Sequence, residues 1–90
     1  MGDLLQRSVR LHGVRVGHVV DVIFGESDSE PVGLEVRCED GEHRFLPMPA
    51  ATPVGEDVVI DSPFALLDAD QLDFYRQRGT TLRSRRKPAA

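Results

Sequence analysis

Pro31-Val-Gly-Leu-Glu-Val-Arg-Cys-Glu-Asp-Gly-Glu-His-Arg-Phe-Leu-Pro47 is the stretch that decides the fold. Val32, Leu34, Val36 and Cys38 alternate with Gly33, Glu35, Arg37 and Glu39, the period of two that turns one side of a strand to a core and the other to water. Asp40-Gly41 follows, and this dipeptide predicts a tight hairpin because the favoured two-residue turns need positive φ, which Asp and Gly tolerate. Counting outward from such a turn sets Glu39 opposite Glu42, Cys38 opposite His43, Arg37 opposite Arg44, Val36 opposite Phe45 and Glu35 opposite Leu46. On that register Cys38, His43, Val36 and Phe45 share the inner face. Arg37 and Arg44, with Glu35, Glu39 and Glu42 within diagonal reach, make a solvated outer face of mixed charge.

Upstream, Val14 to Phe24 carries apolar residues at 14, 16, 20, 22 and 24, with β-branched types dominating, and reads as a second strand. Gly17 interrupts it as a lone glycine does at a bulge or bend, which leaves the facing of His18 open. A first strand is expected near Ser8 to Leu11, and Gly25 to Pro31 is an exposed acidic loop. Downstream, Pro47, Pro49 and Pro53 cut the chain into short pieces, Ala50 to Val54 among them. Gly55-Glu56-Asp57 makes a turn, and Val58 to Asp61 a last strand. The sum is about six short antiparallel strands in close succession, as in a small barrel or sandwich.

The period then changes. Asp68 followed by Gln71 fits a capping-box variant, Leu67 and Leu72 a hydrophobic staple, and Gly79 the positive-φ position at a helix C-terminus, so Ala69 to Arg78 is predicted helical. Asp70 and Asp73 near its start and Arg76 and Arg78 at its end suit the helix dipole. Its apolar stripe is Ala69, Leu72 and Tyr75, with Phe74 to one side, and together with Phe64, Leu66 and Leu67 this is more apolar surface than one barrel end needs. The expected organisation is therefore a barrel over residues 1–65, a helix over 66–79 and a basic tail over 80–90, too poor in apolar groups to be ordered.

With 90 residues, 40% hydrophobic and 29% charged, the chain is one soluble domain with little room for a deep cavity beside a core. Its single Cys excludes an internal disulfide framework and suits a reducing compartment, hence the cytoplasm. No apolar run approaches a membrane span, and the first residues lack the order of a signal peptide. Residues 1–75 hold five Lys and Arg against all fifteen Asp and Glu, whereas residues 76–90 hold six basic side chains and no acid. An acidic body repels nucleic acid and anionic membrane, so any contact with phosphates falls to the tail.

Val16-Gly-His-Val-Val-Asp-Val-Ile-Phe24, Pro31-Val-Gly-Leu-Glu-Val36, Arg44-Phe-Leu-Pro47 and Val58-Val-Ile60 together resemble the PRC-barrel family over roughly residues 8–62. Gly17, Asp21, Gly33, Phe45 and Pro47 carry the likeness, and these are structural positions. The family includes the cytoplasmic part of the photosynthetic reaction centre H subunit, the C-terminal half of a ribosome maturation factor, and small stand-alone proteins. The resemblance implies an all-β fold with a C-terminal helix, built on a six-stranded antiparallel PRC-type barrel, that serves as a docking or assembly module. It brings no catalytic residue. The residues at hand include neither the anchor of the first relative nor the N-terminal domain of the second, so neither role is expected to transfer directly.

Candidate sites are few. Cys38 opposite His43 would place a thiol beside an imidazole, an arrangement that can make a nucleophile, but with no third orienting group the favoured reading is a small buried Cys in the core. His12, His18, His43 and Cys38 lack the spacing of metal ligands, Glu26, Asp28 and Glu30 lack the ligand pattern of a calcium loop, and Gly13 to Gly17 is not followed by a phosphate-binding helix. No catalytic residue, cofactor or metal is expected. Leu72, Phe74 and Tyr75 are the candidate partner-binding residues, through which a homodimer would form. Arg83, Arg85, Arg86 and Lys87 are the candidate nucleic-acid contacts. The leading expectation is a non-enzymatic protein-binding adaptor acting in an assembly process, without membrane contact. The alternative is an RNA- or ribosome-associated factor that uses the tail.

Overall fold

The computed structural model describes residues 5–25 and 31–81. Strands β1 (Ser8–Leu11) and β2 (Val14–Phe24) are joined by His12-Gly13, whose φ values of 51° and 82° are those of a two-residue turn with both central residues left-handed. β3 (Pro31–Cys38) and β4 (His43–Pro47) form the next hairpin, and β5 (Thr52–Val54) and β6 (Asp57–Ile60) turn through Gly55, which has φ 60°. A 3-10 turn at Met48–Ala50 links β4 to β5, and a second at Pro63–Ala65 leads to helix α1 (Ala69–Arg78). The chain past the helix adds β7 (Thr80–Thr81) to the far end of β2. Two residues that the composition assigned to an unordered tail are therefore paired with Ile23 and Phe24.

The strand order is β4-β3-β2-β1-β6-β5. Two features of the expected barrel are corrected. β1 and β6 run parallel, Val9 beside Val58 and Leu11 beside Ile60, so the sheet is mixed; and β4 and β5 do not join, so it is not closed. Prolines 47, 49 and 53 account for the open edges. Pro47 and Pro49 end β4's ladder and Pro53 keeps β5 at an edge, so the chain leaves β4 and crosses to the other side of the β1–β2 hairpin, where β6 arrives in the direction of β1. The edge left by β4 is capped by Leu67, which exchanges two backbone hydrogen bonds with Phe45, of 2.8 and 3.0 Å. Pro53 blunts the exposed β5 edge.

The main core lies on the concave side, with Val9, Val19, Leu34, Val36, Leu46 and Ile60 all but fully buried. Each such side chain contributes about 1.5–3 kcal/mol of transfer free energy. β2 is long enough to serve both halves of the curled sheet. It bends at two bulges, where Val16, beside Gly17, and Val20 are the extra residues.

The β3–β4 hairpin departs from the two-residue turn by one position. The Gly41 N–H donates to the Cys38 carbonyl at 2.9 Å and the Cys38 N–H to the Glu42 carbonyl at 2.8 Å, with Gly41 at φ 87°. That is a three-residue loop, a turn followed by a left-handed glycine, and Asp-Gly serves it as well as the tighter turn. The pairs become Arg37 with His43, Val36 with Arg44, Glu35 with Phe45 and Leu34 with Leu46. A slip of one residue exchanges the faces of a strand. Cys38 and His43 are therefore not partners, and Phe45 leaves the inner face for the outer one.

That outer face is covered, not solvated as expected. Ile23, Phe45 and Leu72 form a second, smaller core there, flanked by Val32, Leu67 and Tyr75. The Phe45 and Tyr75 rings stack at 4.4 Å with 7° between planes. Phe45 also packs against Gly33, where a Cβ would collide with the ring. Leu67 and Leu72 pack as the staple predicts, yet Asp68 makes no side-chain cap. Its carbonyl takes the N–H groups of Gln71 and Leu72 at 3.0 and 3.2 Å instead, the first turn being held by the small core. Gly79 is extended, with φ −126° and ψ −161°, not left-handed. It is needed because the Phe24 carbonyl leaves no room for a side chain.

Gly33→Ala is expected to lower stability by about 1–3 kcal/mol, the range for overpacking a filled site, by levering the Phe45 ring off Tyr75. Urea denaturation checks it; an unchanged midpoint contradicts the packing described.

Candidate functional site

The β1–β2 and β3–β4 turns meet at one end of the sheet, and segment 62–66 runs past them as a lip. Between them is an open groove with a volume of ≈ 460 Å³ and an apolar floor of Leu11, Val16, Cys38, Pro63 and Leu66. Cys38 faces inward because it pairs with Gly17 on the core side of β3, and it is 8% exposed. It packs as a small apolar residue, the favoured reading of its sequence context.

Two ion pairs rim the groove. The Arg15 Nε lies 3.7 Å from a Glu39 carboxylate oxygen, and an Arg44 guanidinium nitrogen 3.2 Å from Asp40. The Cys38 sulfur and the Asp40 carboxylate together hold the Arg44 pKa above the ordinary arginine range. Asp40 is held below the usual carboxylate range, first by the Glu42 N–H that donates to it at 2.9 Å and then by Arg44. A depressed carboxyl stabilises the folded chain above its ordinary pKa and loses that contribution as pH falls through the lowered value, so the loop is best held at neutral pH.

Phe64 stands on the lip, 88% exposed. It does not swing freely. The Ser62 Oγ accepts the Phe64 N–H at 3.1 Å, and the carbonyls of Ser62 and Pro63 accept the N–H groups of Ala65 and Leu66 at 3.1 and 3.2 Å. The sequence registered Phe64 and Leu66 only as surplus apolar surface. It offered no signal that the turn would aim one outward and the other into a groove.

On the opposite face, Glu35 lies under the helix, 7% exposed. Its carboxylate binds His43 Nδ1 at 2.6 Å and approaches the Arg76 guanidinium at 3.9 Å, tying β3 to β4 and to α1. Asp21, buried opposite Glu35, accepts the Val22 N–H at 2.9 Å. His18 shares this face, in the row with Arg37 and His43, and its buried Nδ1 has no partner among the described residues. A polar hollow of ≈ 290 Å³ separates His43 from Asp68 and Asp70 at the start of α1. Among the described residues, no group of three His, Cys, Asp or Glu side chains is arranged to hold a metal ion. Nor is any helix among them long and apolar enough to cross a membrane.

Of the candidate partner residues, Leu72 is buried in the small core and Tyr75 is stacked on Phe45, so both are engaged within the chain. Phe74 is 46% exposed, with the Arg78 guanidinium 4.3 Å above its ring. Arg83, Arg85, Arg86 and Lys87 lie outside the described residues.

The likeness at Gly17, Asp21, Gly33, Phe45 and Pro47 pointed to a family, and the family comparison agrees, although the sheet is mixed and open where a closed antiparallel barrel was expected. The model of the PRC-barrel domain matches residues 3–67, and the chain belongs to that family. No curated protein matches it.

Glu35→Gln keeps the size of the side chain but removes its charge from His43 and Arg76. Both partners are nearly half exposed, so the expected loss is only about 1 kcal/mol. It should come with a change in the emission of the single tyrosine, Tyr75, as α1 loosens. A variant of unchanged stability and emission would contradict the role given to Glu35.

Proposed function

We propose that this PRC-barrel chain is a non-enzymatic docking module that acts in the cytoplasm, receiving a protein surface at the groove end of its sheet during the assembly of a larger complex. One observation carries the reading: Phe64, 88% exposed on a hydrogen-bonded turn, stands beside an apolar groove of ≈ 460 Å³. Exposed aromatic side chains next to desolvated pockets are the usual anchors of protein interfaces. Leu72 and Tyr75 are covered by the chain's own Phe45 and Ile23, which moves the proposed surface from the helix to the groove. The unpaired Cys38 suits a reducing compartment.

A second reading rests on charge. Arg83, Arg85, Arg86 and Lys87 lie in a segment, residues 76–90, that holds no acid, and would neutralise phosphates in a salt-dependent, sequence-independent way.

Affinity capture with the full chain, with Phe64→Ser and with a chain ending at Thr81, each with and without nuclease, separates the two. Docking predicts that capture survives nuclease and loss of residues 82–90 and drops at least about tenfold with Phe64→Ser, as for an interface anchor. Capture that vanishes with nuclease or with the tail would replace docking by the RNA-associated reading.

A further inference from the structure

We infer that the occupant of the groove is a second copy of this chain, so that two protomers join groove to groove about a two-fold axis; the inference rests on the docking reading and names its partner. Three observations lead there. The first is that knob and hole are neighbours on one face. Phe64 sits between Pro63 and Leu66, both of which line the groove, yet its own ring is 88% exposed and leaves the groove unfilled. In a two-fold arrangement each Phe64 enters the other protomer's groove, and each interaction occurs twice.

The second is the rim. Arg15 with Glu39 and Arg44 with Asp40 give it both signs in equal number. A rim of one sign would repel its own copy, whereas this one can meet itself with every guanidinium near a carboxylate. Elsewhere residues 1–75 are mostly acidic, with fifteen acidic against five basic side chains and Arg10–Asp57 as a further balanced pair, so two copies meeting body to body away from the groove set mostly like charges together. A strongly basic or acidic partner would find no net charge on the rim to recognise.

The third is additional apolar surface at the same end. Val14, 64% exposed, is the strand partner of Leu11 on the groove floor and flanks Arg15. The patch is still small beside the roughly 1,000 Å² expected of a specific interface, so the dimer is expected to be weak, dissociating in roughly the micromolar range.

The test uses the full chain and its single thiol, Cys38, which reports on the groove floor. Sedimentation over a wide concentration range should show a 10.0 kDa monomer passing to a dimer, and alkylation of Cys38 by a small reagent should slow as the dimer forms. Phe64→Ser should weaken association by roughly 30-fold or more and make the alkylation rate independent of concentration. Its exposure keeps the fold out of the outcome, and an unchanged urea midpoint verifies this. Phe74→Ser, on the helix, should leave both readouts as they are. The inference is overturned if the chain stays monomeric at every concentration, if Phe64→Ser leaves the dimer intact, or if Phe74→Ser is the variant that dissociates it. The docking reading fails separately, when Phe64→Ser captures the same proteins as the unaltered chain.

Discussion

The turn at Glu39-Asp40-Gly41 is the constraint on which the rest of the structure depends. Its left-handed glycine and the hydrogen bond from the Cys38 N–H to the Glu42 carbonyl set one register for β3 and β4. Because side chains alternate faces, that register decides the position of every residue on β4. It sends Leu46 into the main core beside Leu34 and turns Phe45 outward beside Glu35. An outward Phe45 needs a cover. Leu67, Leu72 and Tyr75 provide it, and the helix is thereby fixed to the back of the sheet.

The same register shapes the groove end of the sheet. With Cys38 paired to Gly17 and His43 on the opposite face, the thiol lies on the groove floor, away from the imidazole. Arg44 and Asp40 are brought together at the mouth of the groove, and His43 is left to Glu35. One turn thus separates two polar clusters. One clamps the helix, and the other rims the apolar groove. Glu35 ties its cluster into the fold through three elements, while the groove has only the lip of residues 62–66 beside it.

Much of this was legible in the residues. The period of two located β2, β3 and β6, the change of period located α1 to its observed ends, and Gly17, Asp21, Gly33, Phe45 and Pro47 pointed to the family. The turn was not legible, because Asp-Gly suits both a two-residue loop and a three-residue loop that ends in a left-handed glycine. Among the described residues, the two-residue turn with both central residues left-handed is instead His12-Gly13, where His takes a conformation that most side chains avoid. Alternation marks Glu35 as lying off the core face but cannot say that a helix will cover that face. Nor does it hold strand order, so the parallel contact of β1 with β6 came only with the structure. The groove was hidden for a related reason. It is assembled from two turns and a lip far apart in the chain, none of them distinctive alone.

The hairpin register is open to direct measurement through backbone nuclear Overhauser contacts between facing α-protons. The account predicts contacts between Arg37 and His43 and between Glu35 and Phe45. Contacts between Cys38 and His43 and between Val36 and Phe45 would contradict it. They would put the thiol beside the imidazole, return Phe45 to the inner face, and leave the helix with nothing to cover.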